Sequence, residues 1–118
     1  MKKLEGVVSA LVTPFDENDN IREDSIRRII NYNLKNGVSG FYACGSTGES
    51  LLLTLDERKK VLEIVKDEVK DRAFIIANIG CMGTKFSIEL AKHAEETGVN
   101  IISSNDEDEE LFLISSFV

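Results

Sequence analysis

Long apolar runs are missing from this 118-residue chain. None approaches the roughly 20 residues that a helix needs to cross a bilayer. A secretory signal is missing too, because Met1 to Gly6 runs into Val7–Val12 without a small-residue cleavage site. Cysteine is scarce: Cys44 and Cys81 are the only two, and with no extracellular context they are expected as reduced thiols of a soluble, cytoplasmic protein. His93 is the single histidine. It sits among helical charges, is expected at the surface, and has no suitably spaced partner for a metal. Basic stripes interleaved with aromatics, the footprint of nucleic-acid binding, are absent. The net charge of −7 is largely local, since Asp106 to Glu110 contribute five of the 21 acids and the rest of the chain stands near −2.

What is present is a repeat of apolar runs and amphipathic stretches. Val7–Val12 is a short apolar run ended by Thr13 and the only proline, Pro14, which suits a buried strand. Ile26, Ile29, Ile30 and Leu34 share one helical face, and Asn36-Gly37 closes that helix. Val38 to Cys44 reads as a second strand. Thr54-Leu55-Asp56-Glu57 is a capping-box sequence, opening a helix with Val61, Leu62, Val65 and Val69 on one side. Ala73–Ile79 reads as a third strand. Thr84 is expected to cap a third helix, with Phe86, Leu90, Ala91 and Ala94 inward and Gly98 as terminator, and Val99–Ile102 begins a fourth strand. This βαβαβαβ order predicts a parallel α/β sheet with right-handed crossovers. Its strands are unbroken apolar runs, as a sheet covered on both faces requires. Periodicity leaves a doubly wound open sheet and a barrel both standing.

After Ser104 the pattern changes. Asn105 to Glu110 cannot continue a buried strand, because desolvating unpaired carboxylates is too costly. Leu111–Val118 is apolar again. This atypical 105–118 tail is expected either to hang as a loose, adhesive end, the preferred reading, or to dock as an extra strand.

The chemistry-bearing motif follows the second strand: Cys44-Gly45-Ser46-Thr47-Gly48-Glu49. Parallel α/β proteins bind ligands at the carboxyl ends of their strands. Glycines allow a tight turn whose successive N–H groups form an anion-binding hollow, and Ser46 and Thr47 add hydroxyl donors. Such a loop can hold a planar carboxylate. It can equally be an ordinary loop with a local hydroxyl cap, or a phosphate site, although neither the dinucleotide fingerprint nor the P-loop is present. Glu49 is expected to brace the loop rather than to act as acid or base.

Several linked stretches carry a resemblance. Gly6 to Asp16 (GVVSALVTPFD) is similar to the opening strand of the N-acetylneuraminate lyase and dihydrodipicolinate synthase family, and Gly40 to Ser50 (GFYACGSTGES) resembles its carboxylate loop. Leu55-Asp56-Glu57-Arg58, Val61 to Val65 and Ile79-Gly80-Cys81 continue the likeness, which runs from Leu4 to about Ser104 in one register. Gly-Ser-Thr-Gly-Glu is closer to the lyases of the family than to its synthases. The resemblance implies a (β/α)₈ TIM barrel, with residues 1–104 its first three βα units and the start of strand four. It implies a class I aldolase that cleaves sialic acid to pyruvate and N-acetylmannosamine through a lysine Schiff base. By it, Ser46 and Thr47, with Gly45 and Gly48, hold the carboxylate of the 2-keto acid or sialic acid. No metal or organic cofactor, nucleic acid or membrane is implied, and members are commonly homotetramers.

A whole barrel needs roughly 250 residues. The family's proton-carrying tyrosine and its lysine lie on strands five and six, and neither has a counterpart here. The chain is therefore expected to stop short of the catalytic lysine and to be inactive alone. Where the family has a proline- and tyrosine-rich turn after strand four, this sequence has Asn105 and the acidic run. A replacement lysine would have to be neutral near pH 7, through burial or a cationic neighbour. Lys59, Lys60, Lys66, Lys70 and Lys92 are read as solvated, and Lys85 is the best placed. Tyr42 is expected as core or wall, and Tyr32 as a helix residue without function.

Overall fold

Five strands and three helices appear in the computed structural model, which describes residues 6–43, 53–80, 83–99, 101–104 and 110–113. Strand β1 (Val8–Ala10) leads to helix α1 (Glu23–Lys35), β2 (Gly40–Ala43), α2 (Leu55–Val69), β3 (Phe74–Asn78), α3 (Thr84–Thr97), β4 (Ile101–Ser104) and β5 (Glu110–Leu113). The sheet order is β1-β2-β3-β4-β5. The first three pairings are parallel and β4 with β5 is antiparallel.

This order separates the two architectures. In a doubly wound sheet the chain reverses direction, so sequential strands do not stay neighbours throughout. Here every parallel strand lies beside its predecessor, and right-handed crossovers then put all three helices on one face. That is the winding of a barrel wall.

The two faces differ accordingly. Leu11, Phe41, Ala43, Ile75 and Ala77 pack with Ile26 and Ile30 of α1 and with Val61, Leu62, Ile64, Val65 and Val69 of α2. The opposite face carries a smaller cluster of Phe74, Ile76 and Ile101, with Tyr42 against it. Gly40 is required there, because a Cβ at that position would lie 2.3 Å from the ring of Phe74. Exposure rises toward β1, where Val7, Val8 and Val12 are 64%, 41% and 59% exposed.

Local signals explain most boundaries. The Thr54 hydroxyl accepts from Glu57 N at 3.0 Å while the Glu57 carboxylate accepts from Thr54 N at 2.9 Å, the reciprocal cap that opens α2. Helix α3 departs from expectation. Its N-cap is Gly83, at φ +104°, and Thr84 is the first helical residue with no side-chain cap. Positive φ is reached there because glycine has no Cβ. Phe86 is exposed rather than inward, and Ala91 is half-buried, leaving Leu90 and Ala94 as the residues α3 buries. The docked-strand outcome, rather than the loose end, holds for Glu110–Leu113, which pairs along the whole of β4.

Charged side chains tie neighbouring helices on the outside. Arg27 of α1 reaches Asp67 (2.8 Å) and Glu68 (2.9 Å) of α2. Asn31 donates to Glu68 at 2.7 Å, and Lys59 of α2 meets Glu89 of α3 at 2.6 Å.

Candidate functional site at the carboxyl ends of the strands

Beyond the strands proper, the carboxyl ends of β1 and β2 are joined, as are those of β3 and β4. Leu11 N donates to Tyr42 O (3.1 Å), and Ile79 N donates to Ser103 O (2.9 Å). On the face away from the helices, alternation along each strand brings together Tyr42, Ile76, Asn78, Ile101 and Ser103. The Tyr42 hydroxyl donates to Ser103 Oγ at 2.6 Å, spanning β3. Ser103 is fully buried and Tyr42 half-buried. Tyr42 is thus part of the inner wall, as expected.

A residue that sequence reasoning passed over supports this end from behind. Arg58, in the first turns of α2, is 4% exposed. Its guanidinium donates to Asn78 O at 2.7 Å and Gly80 O at 2.8 Å, and Asn78 Oδ1 accepts from Gly80 N at 3.0 Å. The two carbonyls offset the cost of burying a cation near a helix N-terminus, where the dipole opposes it. A signal was present: Arg58 falls on the same helical stripe as Val61, Leu62, Val65 and Val69, the side that faces inward.

Other candidates resolve differently. Ser46, Thr47, Gly45 and Gly48 lie outside the described residues, as do Cys44, Glu49 and Cys81. The described lysines are none of them buried; Lys85 is exposed, and hydrogen bonding to Glu89 raises the Lys59 amine above its ordinary value, away from the neutral form. Tyr32 is 69% exposed on α1. His93 corrects the sequence reading: its side chain is 13% exposed rather than a solvated surface group. Its Nε2 lies 2.6 Å from Glu63 of α2, and its Nδ1 is buried without a hydrogen-bond partner among the described residues. With Arg58, Leu62, Ala77 and Leu90 it lines a small hollow between α2, α3 and β3, on the helix side of the sheet. No described helix is long and apolar enough to cross a membrane.

A singly wound parallel sheet with its helices on one face is the wall of a (β/α)₈ barrel. Comparison with known proteins agrees. Residues 3–104 match the model of the dihydrodipicolinate synthetase family, and the chain belongs to that family. Similar curated proteins include the N-acetylneuraminate lyase of Enterobacter sp. (strain 638), 41% identical over 103 residues, covering 87% of this chain and 35% of that protein. The N-acetylneuraminate lyase of Escherichia coli (strain K12 / DH10B) is 42% identical over 101 residues, covering 86% and 34%. Among solved structures, CdNal from Clostridium difficile in complex with mannosamine aligns with a TM-score of 0.82 at 41% identity, over 87% of this chain and 36% of that one. Dihydrodipicolinate synthase from Aquifex aeolicus aligns at 0.77 and 33% identity, over 82% and 33%. The chain thus spans about a third of the length of the relatives it matches.

Proposed function

We propose that the chain forms the first βα units, residues 1–104, of a 2-keto-acid aldolase barrel resembling N-acetylneuraminate lyase, and that it supplies the corner that holds the substrate carboxylate. Ser46 and Thr47 donate their hydroxyls to that carboxylate, and the glycines at 45 and 48 let the backbone approach it. The observation that carries this reading is the identity of 41–42% to N-acetylneuraminate lyases over a stretch containing the whole Gly-Ser-Thr-Gly-Glu sequence. It is supported by the position of that loop, directly after β2, at the carboxyl end of a parallel sheet. A related structure, the lyase of Fusobacterium nucleatum, is a complex with pyruvate.

The reaction that the resemblance implies needs a lysine to form a Schiff base with the ketone, so that the iminium accepts the electrons of the breaking C–C bond. Every described lysine is solvent-accessible, and the strands expected to bring the lysine and tyrosine are not among the 118 residues. The chain alone then binds a keto acid without turning it over. Incubation with pyruvate and borohydride, followed by intact-mass measurement, tests this: no adduct and no lyase turnover are expected, and a stoichiometric adduct on one lysine would overturn it.

A second reading, a dihydrodipicolinate synthase or another keto-acid aldolase, is favoured by a solved dihydrodipicolinate synthase that is 41% identical, equal to CdNal. Both share the pyruvate half of the chemistry. In either reading the partner is a small molecule, and a sequence with only two cysteines suits the reducing cytoplasm.

A further inference from the structure

The phenol of Tyr42 makes a contact that packing alone does not require. Strands β2 and β4 are not neighbours, yet the Tyr42 hydroxyl passes over β3 to reach Ser103. The register sets Tyr42 beside Ile76 and Ile76 beside Ile101. The phenol therefore runs diagonally, to a residue two places nearer the carboxyl end of β4. Among the described residues it packs against the ring of Phe74 and the branched chains of Ile76 and Ile101. A phenylalanine and an alanine would fill much of this space and bury no hydroxyl, so hydroxyls in an apolar layer are costly unless they are used. Ser103 is fully buried and holds the phenol oxygen in one place. That place is the inner face at the strand ends, where parallel sheets of this winding bind ligands.

We infer that Tyr42 is a ligand-contacting residue of the keto-acid site, its phenol hydrogen-bonding a carboxylate or ketone oxygen, with Ser103 as its positioning residue. This deepens the proposed function and rests on it. The pair is suited to the task because each hydroxyl both donates and accepts. In the structure Tyr42 donates to Ser103. When a keto acid arrives, one of its oxygens accepts a hydrogen bond from the phenol O–H, alongside or in place of Ser103 Oγ.

The composition makes the test direct. The chain has no tryptophan and only two tyrosines, and the other, Tyr32, is exposed on α1. The full chain carrying Tyr32→Phe, labelled with ¹³C at the tyrosine ring carbon bearing the hydroxyl, gives one signal, from Tyr42. Titration with pyruvate is followed by that signal and, independently, by the backbone amides. The inference expects a saturable movement of the Tyr42 signal with the same midpoint as the amides, and at least about tenfold weaker binding in Tyr42→Phe, as loss of a hydrogen bond to a charged group implies. Saturable amide shifts with a motionless Tyr42 signal would overturn the inference and leave the keto-acid reading standing. No saturable shift anywhere would overturn that reading, and the inference with it. Because the ring signal is read on a chain that keeps Tyr42, a Tyr42→Phe variant that fails to fold does not blunt the test.

Discussion

Among single residues, Arg58 is a buried cation that ties a helix to a strand end. It fastens α2 to the backbone at the end of β3 through two carbonyls, those of Asn78 and Gly80. Replacement by leucine keeps the bulk but leaves those carbonyls without the guanidinium, and is expected to cost about 2 kcal/mol or more. Urea denaturation of Arg58→Leu beside the unchanged chain measures this, and an unaltered midpoint would show the bracket to be dispensable. Gly40 is fixed by a different force. The ring of Phe74 occupies the space a methyl would need, so Gly40→Ala is expected to destabilise by about 1–3 kcal/mol. The compensated variant Gly40→Ala with Phe74→Leu should recover part of the loss in the same assay. Residues of this kind are the least legible from sequence. Arg58 is written among Asp56, Glu57, Lys59 and Lys60 and looks like one more solvated charge. His93 likewise reads as a surface residue, yet α2 and α3 approach closely enough to cover most of its ring. In both cases the deciding fact is which neighbouring helix lies across the position, and no local pattern holds that information.

At the scale of elements, the repeat of strand and helix was readable because two periodicities alternate cleanly along the chain. The capping box at Thr54 is the clearest instance, since both of its hydrogen bonds form. Thr54→Ala should lower stability by about 1 kcal/mol, read as a fall in melting temperature. Thr84 reads as the cap of α3 because hydroxyls are common N-caps, whereas the chain uses the conformational freedom of Gly83. Helix pairing on the outer surface adds a pH dependence. Glu68 accepts from Asn31 and pairs with Arg27, and these contacts hold its carboxyl below the ordinary 4.5. A lowered folded value means that the stabilisation is complete above that ordinary value and is lost as pH falls through the folded one. Denaturation midpoints should therefore fall on acidification below about pH 4.5. Glu68→Gln should flatten that acid limb while changing neutral stability little, because partly exposed ion pairs are worth little. An acid limb of unchanged steepness in Glu68→Gln would show that Glu68 does not cause it.

At the scale of the whole molecule, the sheet is a wall and not yet a cylinder. The edge of β1 away from β2 has no strand beside it among the described residues, and Val7, Val8 and Val12 stand exposed there. An exposed strand edge with apolar side chains is a template for pairing with other chains. The chain is accordingly expected to sediment as more than a monomer at micromolar concentration, and Val8→Lys to shift it toward monomer. A monodisperse monomer with a sharp cooperative melt would contradict this. The sequence carried the family and the parallel winding through several linked motifs, but not the tail. An acidic run reads as an end of structure, whereas Glu110–Leu113 takes up the free edge of β4. Edge pairing depends on which strand is left open, which is a property of the assembled sheet.

We propose that Ser46 and Thr47, which follow β2 in the sequence, hold the carboxylate of a keto acid. Titration of the isotopically labelled chain with pyruvate, set against acetone, which has the ketone and lacks the carboxylate, tests it most directly through the amide signals of Ser46 and Thr47. Saturable shifts of both are expected with pyruvate and none with acetone. Equal responses to the two compounds, or no response of Ser46 and Thr47 to pyruvate, would contradict it.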